Sequence, residues 1–244
     1  MQNPLLFRIY QNLHEQSNSY NDDAKIEPNS NHQYTISTIS PNMEAFLNHQ
    51  FYERPFISPK FDLEDLDCLR GCQWIDDAVL NSYLSICYNQ ISENDERKIG
   101  LTNTFFMKKV ERDGFQAASD WQGIKGQPIN NYDFFFVPIC HGHHWILAVV
   151  DFINNEIKIY DSLHGQYSKV VKTLNGFLQF QGIKPLNATY PMVPSQYNGY
   201  DCGVFVMEFG RCLLLRENIN SFSQKDIPGA RERIYSELYE YLNK

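Results

Sequence analysis

Three segments decide the fold: Asp133-Phe-Phe-Phe-Val-Pro138, Trp145-Ile-Leu-Ala-Val-Val150 and Ile157-Lys-Ile-Tyr160. The first two runs are apolar without interruption, the mark of strands buried on both faces. The third alternates apolar and polar residues and reads as the next strand, reached through a turn near Asn154-Asn155. Helical periodicity surrounds these segments. Ile75 to Ile91 predicts a helix with Val79, Tyr83, Ile86 and Cys87 on one face. Gly203 to Leu215 is apolar almost all round and predicts a buried helix. Ile227, Ala230, Ile234, Leu238 and Tyr241 recur at helical spacing, with Pro228 suited to a first turn. Mostly consecutive strands with helices around them imply an α+β fold, a central sheet flanked by helices, rather than a doubly wound one.

Outside this region the first 50 residues differ in kind. Leu5, Leu6, Ile9, Tyr10 and Leu13 suggest a short amphipathic helix, and Gln16 to Gln33 is a polar stretch that reads as a solvated linker. Residues 1–50 are therefore expected to be an N-terminal arm and residues 51–244 a single domain. The apolar content of 43% supports a sizeable core and excludes a disordered class. There is no apolar run of about 18 residues, which excludes a membrane-spanning helix. Met1-Gln2-Asn3-Pro4 lacks the basic and apolar regions of an export signal. The six cysteines are then expected to be thiols in a reducing, intracellular setting, nucleus or cytoplasm. A formal net charge of −8 argues against nucleic-acid binding, which needs clustered Lys and Arg.

The chemistry starts from Asn198-Gly-Tyr-Asp-Cys-Gly-Val-Phe205. A cysteine at the start of a buried helix sits at the positive end of the helix dipole, which favours the thiolate, the attacking species. Cys202 is thus a candidate nucleophile; a buried structural thiol is the competing reading. A nucleophilic thiol needs a base, and the base needs an orienting group. His144 begins one buried strand and Asp161 ends the next, so a hairpin brings them together. A turn centred on Phe152–Ile153 would place them face to face. A turn centred on Asn154–Asn155 would keep them on one side but offset by four residues, about 13 Å. Gln196, six residues before Cys202, could donate its amide to an oxyanion alongside the Cys202 N–H. Cys140-His-Gly-His143-His144 holds metal-ligand types, but a zinc site wants separated ligand pairs, so no metal and no cofactor is expected.

These residues resemble the Ulp/SENP family of ubiquitin-like-protein-specific cysteine proteases. His144-Trp145, Asp161-Ser162, Gln196 and Asp201-Cys202-Gly203 match its catalytic segments. Trp74-Ile-Asp-Asp77 with Leu80-Asn-Ser-Tyr83, and Asn103-Thr-Phe-Phe106, match two further motifs. The resemblance covers residues 51–244 and implies a papain-like fold around a mixed sheet. It also implies His144 as general base and acid, Asp161 as its orienter, Cys202 as nucleophile and Gln196 as oxyanion donor. Trp74 and Trp145 would be the aromatics that enclose a substrate's Gly-Gly tail, while core packing is their other reading. Asp77 could equally be a cap for its helix. The implied partner of a monomeric enzyme is a ubiquitin-like modifier, SUMO first, with ubiquitin or a neddylation tag as alternatives. A bacterial effector acting in host cells would look the same. From other classes, an acetyltransferase with a related Cys/His/Asp site and a catalytically dead binding module remain as rivals.

Overall fold

A computed structural model describes residues 54–119, 121 and 128–244. The expected helix and linker of the N-terminal arm lie outside the described residues. The domain is built on a five-stranded mixed sheet of order β1-β2-β3-β4-β5: Ile99–Leu101, Phe134–His141, His144–Asp151, Glu156–Tyr160 and Asn187–Thr189. The central β2–β3–β4 meander is antiparallel, whereas β1 and β5 run parallel to their neighbours. Helices α1 (Asp77–Asn89), α2 (Phe106–Ser119), α3 (Ser168–Phe180), α4 (Cys202–Leu214) and α5 (Ile227–Leu242) cover both faces.

Alternation along β3 explains why the sheet is covered twice. Trp145, Leu147 and Val149 point into a core with α1, α4 and α5 residues such as Tyr83, Phe205 and Ile234. Ile146, Ala148 and Val150 point the other way, into a second core with Phe106 of α2 and Phe177 of α3. Helix α1 starts where Asp76 accepts a hydrogen bond from the Val79 N–H (2.8 Å), so the cap is Asp76 and not Asp77. Pro228 falls in the first turn of α5, as its sequence position requires.

Two registers position the chemistry. Strands β2 and β3 pair His141 with His144 across a two-residue turn, Gly142-His143, in which both residues have positive φ (57° and 67°). Strands β3 and β4 pair Asp151 with Glu156 and Leu147 with Tyr160. The turn therefore centres between Ile153 and Asn154, midway between the two expected registers. Continuing this pairing puts Asp161 opposite Ile146, two residues from His144 and on the same side of the sheet. That shorter offset is one the two side chains can bridge.

Candidate active site

His144, the first residue of β3, places Nε2 2.6 Å from Asp161 Oδ1. Asp161 follows the end of β4 and is buried, and its carboxylate is saturated with donors. Oδ1 also accepts the Leu163 N–H (2.9 Å), and Oδ2 accepts the Gly165 N–H (2.6 Å) and the Tyr167 hydroxyl (2.8 Å). Burial raises its pKa, but these donors, His144 first among them, outweigh it and hold the carboxyl near 2. On His144, burial pushes the imidazole pKa down. Hydrogen bonding to Asp161 and to Cys202 overrides that and raises it to about 9. The ring is thus hydrogen-bonded to Asp161 and interacts with Cys202. With Nε2 committed to Asp161, Nδ1 is the nitrogen left for the thiol.

The two shifts have opposite consequences for stability. The raised His144 contributes stability that is complete below its ordinary pKa of 6.5 and is lost as pH rises to about 9. The lowered Asp161 contributes stability that is present above 3.8 and is lost as pH falls toward 2. In an NMR titration of labelled histidines, one imidazole is therefore expected to titrate near pH 9 and to return toward 6.5 in Asp161→Asn. A His144 that titrates at 6.5 in the unaltered protein would contradict the ion-paired arrangement.

Cys202 is the first residue of α4, buried, where a helix leaves backbone N–H groups without intrahelical partners. Gly203 is what lets α4 begin here. A Cβ on it would lie 2.5 Å from the Ile75 Cβ and 3.1 Å from Trp145 Cδ1. Trp145 is itself buried, and its indole Nε1 donates to the Ile75 carbonyl (2.9 Å). It is therefore a packed core residue that borders the site. Trp74, by contrast, is 60% exposed. Gln196 is buried, and both ends of its amide are engaged: Oε1 accepts the Ser162 hydroxyl (2.6 Å) and Nε2 donates to the Asn198 carbonyl (2.6 Å). One Nε2 hydrogen remains for a further acceptor.

The candidate metal ligands do not converge. His141 packs edge-on against Tyr167, His143 contacts Trp74, and His144 faces Asp161. Among the described residues, no group of three or more His, Cys, Asp or Glu is placed to hold a metal ion. Burial disfavours the thiolate at three other cysteines: it pushes Cys68 and Cys87 up to about 12 and Cys212 up to about 11.

Two residues of the site escaped the sequence reading. Tyr167, in the loop before α3, holds Asp161 Oδ2. Arg231 of α5 forms a buried ion pair with Asp201, the residue just before Cys202, through Nη2 (2.8 Å) and Nε (3.1 Å). The same guanidinium donates to the Cys68 and Gln73 carbonyls (3.1 and 2.8 Å), while Asp201 Oδ2 accepts from Asn198 and Gln224. One cation thus ties α5 to the start of α4 and to the segment entering Trp74. Its signal was present, because Arg231 falls within the apolar stripe Ile227-Ala230-Ile234-Leu238, where a charge requires a buried partner. Nothing in the loop sequence marks Tyr167.

The family model described as the Ulp1 protease family, C-terminal catalytic domain, matches residues 73–244. The chain belongs to the Ulp1 protease family. The match begins beside Trp74 and takes in His144, Asp161, Gln196 and Cys202. A sentrin-specific protease of Caenorhabditis elegans is 30% identical over 208 residues, covering 81% of this chain and 29% of that protein. Human sentrin-specific protease 5 is 29% identical over 188 residues, covering 73% of this chain and 24% of that protein. The chain therefore spans less than a third of the length of these relatives. The solved C-terminal Ulp1 protease domain in complex with Smt3, the yeast orthologue of SUMO, aligns with a TM-score of 0.61 at 21% identity. That alignment covers 79% of this chain and 90% of that one. The likeness establishes a papain-like α+β fold for this Ulp1-family chain. Among the described residues no helix is long and apolar enough to cross a membrane.

Proposed function

We propose that this chain is a cysteine isopeptidase and endopeptidase that cuts after the Gly-Gly C-terminus of a ubiquitin-like modifier, SUMO foremost. The observation that carries the proposal is His144 hydrogen-bonded to Asp161 and interacting with Cys202, which opens a buried helix. In this reading the Cys202 thiolate attacks the carbonyl carbon of the terminal glycine. The oxyanion is held by the Cys202 N–H and the second Nε2 hydrogen of Gln196. Protonated His144 gives its proton to the departing lysine amine, and a thioester remains. His144 then takes a proton from water, the hydroxide adds to the thioester, and the C–S bond breaks so that Cys202 recovers its thiolate beside protonated His144, while the modifier's new carboxyl group gives up its proton to solvent. Each step uses only groups of this chain, substrate and water. Trp74 flanks the substrate tail, and only glycine gives a tail narrow enough to pass between aromatic faces. The setting that goes with this chemistry is the cell interior, where modifier conjugates occur.

The test is hydrolysis of SUMO carrying a C-terminal aminocoumarin, alongside cleavage of a SUMO precursor. Cys202→Ala should lose roughly 10⁴-fold or more of the activity with its fold intact. Cys212→Ala and Cys140→Ala should stay within about twofold, because neither thiol touches the reacting atoms. Loss of activity in a folded Cys212→Ala protein would reassign the nucleophile. Transfer of acetyl groups from acetyl-CoA to a protein acceptor, with no cleavage of any modifier, would overturn the reading in favour of an acetyltransferase.

A further inference from the structure

The turn that joins β2 to β3 is strained at one residue. Gly142 adopts positive φ freely, but His143 (φ 67°) does so against its own Cβ, in a region few non-glycine residues enter. Asn-Gly would make the same two-residue turn with less strain. The strained residue immediately precedes His144, and it places an exposed imidazole against an exposed indole. The His143 and Trp74 ring centroids are 6.2 Å apart at 38°, within aromatic contact.

The next residue along, Ile75, faces inward. Its carbonyl accepts the Trp145 indole N–H, and its Cβ lies where Gly203 leaves room for it. Trp74-Ile75 is therefore a short bridge anchored below by Trp145 and α4. Its outward ring has one aromatic neighbour among the described residues, His143. A large apolar ring at 60% exposure, in aromatic contact with the residue before His144, is positioned for a ligand rather than for a core.

We propose that His143 is a positioning residue for the substrate tail: its ring holds the Trp74 indole at the edge of the His144–Cys202 centre, so that the indole presents a fixed face to the tail. The proposal rests on the reading above that the tail passes Trp74. Because Trp74 rather than His143 touches the tail, losing the contact frees the indole. It weakens tail binding and leaves the chemistry at Cys202 alone.

The first arm of the test needs no substrate. In fluorotryptophan-labelled protein, with the Trp74 resonance assigned by Trp74→Phe, His143→Ala should shift and sharpen the ¹⁹F line as the indole gains motion. The second arm is hydrolysis of the SUMO aminocoumarin. His143→Ala should raise KM roughly three- to tenfold with kcat within about twofold, the size of one aromatic contact. His143→Phe should restore KM. His143→Asn should keep the turn and Tm, because Asn like His tolerates positive φ, yet show the raised KM of the alanine variant. An unmoved Trp74 resonance overturns the proposal whichever modifier the enzyme accepts. So does a KM unchanged in His143→Ala, or one that His143→Phe fails to restore. If the unaltered enzyme hydrolyses no modifier derivative, the function proposed above fails, and the ¹⁹F arm still decides whether His143 holds the indole.

Discussion

Asp161→Asn is expected to fold normally and to turn over roughly 10⁴-fold more slowly, with KM little changed. An asparagine keeps only the hydrogen bonds that its carbonyl oxygen can accept, and if its amide nitrogen faces His144 the imidazole must present the wrong tautomer. Nδ1 would then carry the proton where an acceptor for the thiol is needed. The neutral amide also removes the charge that, with Cys202, raises His144 to about 9. Four donors converge on this one buried carboxylate, so the loss is felt at once by His144, the Leu163 and Gly165 amides and Tyr167. The measurement is kcat and KM together with the histidine titration. Wild-type kcat with an unmoved imidazole would show that some other acid orients the base.

Arg231→Ala is expected to have the largest effect on stability, about 3–5 kcal/mol, because it strands the Asp201 carboxylate in the core without its counter-charge. For a domain of this size that corresponds to a fall in Tm on the order of 10 °C. The loss should reach activity as well. Arg231 pins Asp201 at the threshold of α4, the helix that Cys202 opens, and the Cys68 and Gln73 carbonyls on the approach to Trp74. Arg231→Lys should fall between the two, since an ammonium keeps the charge but lacks the fork that reaches three acceptors at once. Thermal unfolding of the three proteins checks this. A Tm within 2–3 °C of wild type for the alanine variant, below about 1 kcal/mol on the same scale, would mean that the ion pair contributes little net stability.

Helices α1, α4 and α5 and the three long strands were legible because burial on both faces leaves uninterrupted apolar runs, and burial on one stripe leaves a period of 3.6; α2 and α3 were not read from the sequence. Strands β1 (Ile99-Gly-Leu101) and β5 (Asn187-Ala-Thr189) were not, since three residues carry no period and their parallel partners lie far along the chain. The contact of His144 with Asp161 could be expected from residue type and position, but not their offset, which depends on where the β3–β4 turn centres. The acid at the helix start was misread by one residue, because Asp76 and Asp77 are equally good caps on paper and only the Val79 N–H chooses between them. Trp145 illustrates a different limit. An indole in an apolar run says that it is buried, but its hydrogen bond to the Ile75 carbonyl and its contact with Gly203 are tertiary facts. Gln196 likewise gave no hint that Ser162 and Asn198 would share its amide.

The central claim, that Cys202 opens the C-terminal carbonyl of a ubiquitin-like modifier, is tested most directly by electrophile probes. SUMO, ubiquitin and the neddylation tag, each ending in a thiol-reactive group in place of the terminal carboxylate, would be incubated with the protein and with Cys202→Ala. The adducts would be mapped by mass spectrometry. The account predicts a covalent adduct on Cys202 with the SUMO probe, absent in Cys202→Ala. An adduct on another cysteine, or none with any of the three probes, would contradict it.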